Sequence, residues 1–166
     1  MSHMITAIIL KGAYKPEELT YFDLRPVPLN KELTLFHIDA TYSAYWQFYL
    51  GTKGELPLAR RPSLPFPREI VLAQIVGRIS VSSLPHFAII ATDYFGGIGT
   101  QHANVFIGSE NADPEMEKIN QALRFLGVVA ERGKDEFDTV GLSNIRSMPE
   151  YLEKYWDLAE EYDLDY

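Results

Sequence analysis

Phe87-Ala-Ile-Ile-Ala-Thr-Asp-Tyr94, then Phe95-Gly-Gly-Ile-Gly99, then Thr100-Gln-His-Ala-Asn-Val-Phe-Ile107 is the stretch whose reading decides the fold. The first eight residues are apolar enough for a central strand, and the glycines break the run. The residues after them return to a strand pattern. Two strands so placed, in the order of strands and helices read along the rest of the chain, suggest a mostly antiparallel sheet.

Upstream, Met4–Lys11 is a β-branched run that ends at Gly12 and reads as a strand. Residues 16–28 read as an irregular connection. Leu33–Ala40 alternates apolar and polar residues, the pattern of a half-buried strand. Tyr42–Leu50 is dense in aromatics, which favour strands, and is read as one paired with a partner near Glu55–Arg60. Pro57, Pro62, Pro65 and Pro67 exclude regular structure between them, and Pro67 suits the first turn of a helix over Arg68–Ser80. Downstream, Asp113-Pro114 reads as a cap opening a helix that carries Met116, Ile119, Leu123 and Leu126 on one face. Val128–Ala130 and Phe137–Val140 read as short strands. Ser147-Met-Pro-Glu150 matches a capping box ahead of a last helix with the stripe Tyr151, Leu152, Tyr155, Trp156, Ala159 and Tyr162. The whole is expected to be a single α+β domain over residues 4–166, a mostly antiparallel sheet with about three helices packed on it. Residues 1–3 read as an expression-tag remnant ahead of Met4.

Charge is distributed unevenly. Residues 1–78 hold nine basic and seven acidic side chains, whereas residues 79–166 hold six and sixteen. Glu150 to Tyr166 alone carries seven carboxylates and one base, Lys154. A surface of that sign repels nucleic acid and anionic lipid and attracts basic proteins, so neither nucleic acid nor membrane is an expected partner. With no cysteine there is no disulfide and no thiolate chemistry, and no apolar run reaches membrane-spanning length. A cytoplasmic setting is the expectation.

Chemistry-bearing motifs are few. The glycine-rich loop, with Gly96, Gly97 and Gly99 flanked by Asp93, Tyr94, Gln101 and His102, admits two readings. One is a binding loop in which Asp93 and His102 form an acid/base pair; the other is a hairpin whose glycines serve geometry alone. A dinucleotide fingerprint fits poorly, because a strand rather than a helix follows. The histidines His37, His86 and His102 form no metal-ligand spacing, and His37 with Asp39 reads better as a hydrogen-bonded pair. No nucleophile elbow, P-loop or buried carboxylate pair stands out, so no catalytic residue, metal or cofactor is assigned and an enzyme is not favoured.

The stretch Ile90-Ala-Thr-Asp-Tyr-Phe-Gly-Gly-Ile-Gly-Thr-Gln-His-Ala103 resembles a motif of poorly characterised small bacterial proteins, in which a strand ends in acid-aromatic-Phe-Gly-Gly-x-Gly. Some of these are similar to immunity proteins of toxin systems in size and acidity. The resemblance covers about a tenth of the chain. It implies a bacterial origin and an α+β domain, and carries no residue roles.

Three functions follow as expectations. The first is an acidic binding protein that occludes a basic, toxin-like partner through Tyr151, Glu153, Asp157, Glu160 and Glu161. The second is a small-molecule enzyme or ligand-binding domain built on residues 93–102. The third is a structural homodimer joined along the aromatic strand 42–49.

Overall fold

The computed structural model describes residues 2–166 and has the expected class, an α+β domain on one antiparallel sheet. Seven strands build it: β1 (Ser2–His3), β2 (Thr6–Lys11), β3 (Pro26–Pro28), β4 (Leu33–His37), β5 (His86–Phe95), β6 (Ile98–Ile107) and β7 (Glu110–Asn111). Their order is β3-β4-β2-β5-β6-β7, with β1 paired to the far end of β5, and every pairing is antiparallel. Six α-helices cover the sheet: α1 (Pro16–Tyr21), α2 (Ala40–Tyr49), α3 (Val71–Ile79), α4 (Ile119–Phe125), α5 (Glu136–Val140) and α6 (Lys154–Glu161). Three of them, α2, α3 and α6, reach eight residues or more. Ser2 and His3 are seated in the sheet, with His3 Nδ1 2.8 Å from the Thr92 hydroxyl.

The sheet is buried on both faces. On the first, Ile8, Leu10, Phe36, Phe87, Ile89 and Phe106 pack under α1, α2, α3 and α6. On the second, Ile9, Leu35, Ala88, Ile90 and Val105 pack under α4 and α5. This double burial explains why β4 is covered at all five positions instead of half-buried as its alternation suggests: Leu33, Leu35 and His37 turn to one core, Thr34 and Phe36 to the other. The strand stops at His37, short of the expected Ala40.

The main correction concerns 42–50, which is helix α2 and not a strand. The Asp39 carboxylate accepts the Tyr42 N–H at 2.8 Å and the Thr41 hydroxyl at 2.7 Å, capping the first turn. Tyr42, Tyr45, Trp46 and Tyr49 then recur at i, i+3, i+4 and i+7, a helical period hidden by aromatic density. Without a strand there, 55–60 has nothing to pair with and is irregular, apart from a single bridge between Glu55 and Glu69. The homodimer edge expected along 42–49 disappears with it.

Other boundaries move for local reasons. The connection 16–28 contains α1 and β3. Helix α3 opens at Val71, so Pro67 lies outside it. Asp113 closes a turn by accepting the Glu115 N–H, and α4 opens only at Ile119, where Gln121 Oε1 takes the Lys118 N–H. The strand expected over 137–140 is α5, capped by Asp135 on the Asp138 N–H, and 128–130 is not a strand either. Ser147 caps nothing: Pro149 leads into a 3-10 turn at Glu150–Leu152 and then α6.

His37 does not pair with Asp39. Its side chain lies among the second core's positions of β4, and Nε2 is buried with no hydrogen-bond partner among the described residues. Burial pushes its pKa down to about 4. The unfolded chain, titrating at the ordinary 6.5, therefore binds a proton between those values that the folded chain refuses. Stability is full above pH 6.5 and falls as pH drops toward 4, by up to about 3 kcal/mol. Urea denaturation at stepped pH should show this fall, and His37→Leu should flatten it; an equal fall in both proteins would remove the assignment.

Candidate functional site

Helix α6 is positioned by its apolar side. Leu152, Tyr155 and Ala159 are buried, the Tyr155 ring meets the Tyr42 ring edge-on at 4.9 Å, and the Tyr155 hydroxyl donates to Asp23 Oδ2 at 2.9 Å. Burial pushes that phenol far above its ordinary range. Of the expected stripe, Trp156 and Tyr162 turn out to be exposed instead.

With one side fixed on α2, the opposite side faces water. Glu153, Asp157, Glu160 and Glu161 recur at i, i+4, i+7 and i+8 and are all exposed. None of the four forms an ion pair among the described residues. Lys154, the one base of this helix, is exposed and pairs with Asp23 instead of with the acidic row. Tyr151 is set apart from the four: it is half-buried, and the Arg25 guanidinium stacks 4.1 Å above its ring.

Where α6 begins, a cleft of about 530 Å³ opens between it, the start of α2, the proline segment and the ends of β2 and β5. Asp39, Asp93, Glu153 and Trp156 line it with Leu64 and Pro149, and no basic side chain does so among the described residues. Asp39 is already engaged: besides capping α2, its Oδ2 accepts the Trp156 indole N–H at 3.1 Å. Asp93 and Glu153 have no such partners among the described residues and are the carboxylates available to a ligand there.

The glycine-rich segment divides between the two faces of the sheet. Gly96 and Gly97, at φ 61° and 82°, form the two-residue turn between β5 and β6. Gly99 is required by close approach, because a Cβ there would sit 1.9 Å from the Asp93 carbonyl oxygen. Tyr94 and Gln101 lie on the second face, where Gln101 donates to the Tyr94 hydroxyl at 3.0 Å and accepts the Ile119 N–H at 2.8 Å. They border a separate hollow of about 370 Å³. Asp93 and His102 share the first face, yet Asp93 stands opposite Thr100 and His102 opposite Ala91, and no hydrogen bond joins them.

His102 has a structural tie instead. The Ala59 N–H donates to Asn104 Oδ1 at 2.9 Å, which fixes the orientation of that amide. Asn104 Nδ2 must then donate to His102 Nε2, 2.8 Å away, and the imidazole carries its proton on Nδ1. Asn111 completes the set, donating to Asn104 Oδ1 and the Pro57 carbonyl, both at 2.8 Å. Burial lowers the His102 pKa, in keeping with a neutral acceptor. The network pins 57–59 to the sheet.

Asp39 and Trp156 were missed as site residues. The signal for Asp39 was the sequence Asp39-Ala-Thr-Tyr42, an N-cap ahead of a helical period; nothing local marked Trp156 as exposed. Among the described residues, no cluster of three metal-ligating side chains occurs and no helix is long and apolar enough to cross a membrane. No protein-family model, curated protein or solved structure matches this chain.

Asp39→Ala should lower stability by about 1 kcal/mol, from the lost cap, and should shift tryptophan fluorescence as Trp156 is released to bond water instead. Chemical denaturation followed by fluorescence measures both. A midpoint and spectrum identical to the parent would show that Asp39 does not organise this corner.

Proposed function

We propose that the chain is an acidic binding protein that neutralises a basic protein partner, of the immunity-protein kind. The observation that carries the proposal is the row Glu153, Asp157, Glu160 and Glu161: exposed, on one side of one helix, and unpaired among the described residues. Four carboxylates held on a rigid rod at helical spacing can replace substrate phosphates against the lysines and arginines of a nuclease-type active site, which is occlusion by charge mimicry. The adjoining cleft extends the same potential inward through Glu153 and Asp93. Exposed pairs contribute little singly, so the interface works as a set and accelerates encounter more than it lowers dissociation.

The test is titration against a panel of basic nuclease-type toxin domains by surface plasmon resonance at stepped salt. The expected result is an association rate that falls steeply with ionic strength. Glu153→Gln/Asp157→Asn/Glu160→Gln/Glu161→Gln should slow association by about tenfold or more and flatten the salt dependence. Association indifferent to both salt and the fourfold variant would contradict the proposal.

A further inference from the structure

The C-terminal ends of three helices meet at one corner of the molecule. Tyr21 ends α1, Tyr49 ends α2 and Tyr162 follows α6, with Phe48 between the last two. Each of these four rings is about half exposed: 50% for Tyr21, 50% for Phe48, 58% for Tyr49 and 45% for Tyr162. They are joined ring to ring. Phe48 and Tyr162 lie 5.0 Å apart, Tyr45 stacks on Tyr49 at 5.7 Å, and Trp46 touches Tyr49 at 5.5 Å and Tyr21 at 5.8 Å. Trp46 is itself buried, so the exposed rings stand on a packed base and lose little freedom on binding. A contiguous aromatic surface of this kind is unusual on a protein with no use for it.

Its rim is negative. Glu161, of the unpaired acidic row, and Asp163 flank Tyr162 in the chain, and both are exposed. None of the three helices has a basic residue in its last turn, so the negative ends of α2 and α6 go uncompensated by their own side chains. Arg78, which reaches the Tyr21 ring, is held by Glu18 at 2.9 Å.

We infer that this aromatic ledge is the anchoring part of the neutralising interface, and that it receives a segment of the cationic partner carrying large apolar side chains beside its arginines or lysines. The inference rests on the proposed function and adds where the binding energy is concentrated. Aromatic rings surrounded by charge act as anchors, with arginine free to stack on their faces. A second copy of this chain is opposed by charge, because a contact through the ledge would bring two acidic rims together in a chain of net charge −8, whereas a cationic segment is attracted.

The experiment uses three synthetic peptides titrated by calorimetry: a leucine–arginine amphipathic helix, an arginine–serine–glycine peptide of equal charge with no large apolar residue, and a leucine–glutamate counterpart. The leucine–arginine peptide should bind about tenfold or more tighter than the polar basic one, and the acidic one should not bind. The preference should vanish in Phe48→Ser/Tyr49→Ser/Tyr162→Ser, whose fold is checked by circular dichroism; if that variant does not fold, Tyr162→Ser alone should reduce the preference. Sedimentation should show a monomer throughout. Equal binding of the two basic peptides, lost in the fourfold acidic variant, would overturn the ledge and leave the proposed function standing. No binding of either basic peptide would overturn both. A preference that survives the ring substitutions, or a dimer that they dissolve, would also overturn the ledge.

Discussion

The corner of the molecule on which function is placed depends on one carboxylate. Asp39 follows β4, and its two oxygens do different work: one caps α2 through Tyr42 and Thr41, the other holds the Trp156 indole of α6. The cap commits 40–49 to a helix, and the indole bond helps bring α6 alongside it. Tyr155 then packs on Tyr42, and the sides of α6 divide into a buried one and an acidic one. A neutral hydrophobic residue at position 39 would leave the first turn of α2 without its acceptor. The cleft, the acidic row and the aromatic ledge all border this pair of helices.

Beneath that pair, the sheet supplies rigidity. An antiparallel sheet with one wet face would carry alternating strands; here both faces are dry, and the polar positions of the central strands are filled by groups with partners, such as Asn104 and His102. His37 is the exception, a buried imidazole with an unpartnered nitrogen, and it couples the stability of the fold to pH. The charge asymmetry of the chain thus becomes a spatial one. Seven of the fifteen Lys and Arg side chains form ion pairs among the described residues, Arg60 with Glu115, Arg124 with Glu136 and Lys154 with Asp23 among them, and none of these pairs takes a carboxylate of the acidic row of α6.

Much of the sheet was legible because its strands carry local marks: β-branched runs in β2, an apolar core in β5, and a two-glycine turn into β6. The acidic side of α6 was legible because helical spacing depends only on sequence. Residues 42–50 misled because aromatic content, a tertiary packing requirement, outweighed the cap and the 3-4 spacing that set the backbone. Ser147 misled in the opposite sense, since the capping pattern was present while Pro149 and a 3-10 turn took the position. That Asp93 and Tyr94 face opposite sides of the sheet follows from strand alternation. Their separation into different hollows needed the helices on each side, which no local pattern reveals. The exposure of Trp156 and Tyr162 was illegible for the same reason: a helical stripe wider than its groove leaves its outer members in water.

The claim at the centre of the account is that the paired helices α2 and α6, and not the glycine hairpin, form the surface that meets a partner. Hydrogen–deuterium exchange of the chain, alone and saturated with the leucine–arginine amphipathic peptide, addresses it directly. Amides over 153–162 and 45–50 should gain protection while those over 93–102 exchange as before. Protection confined to the hairpin, with α6 unchanged, would contradict the account.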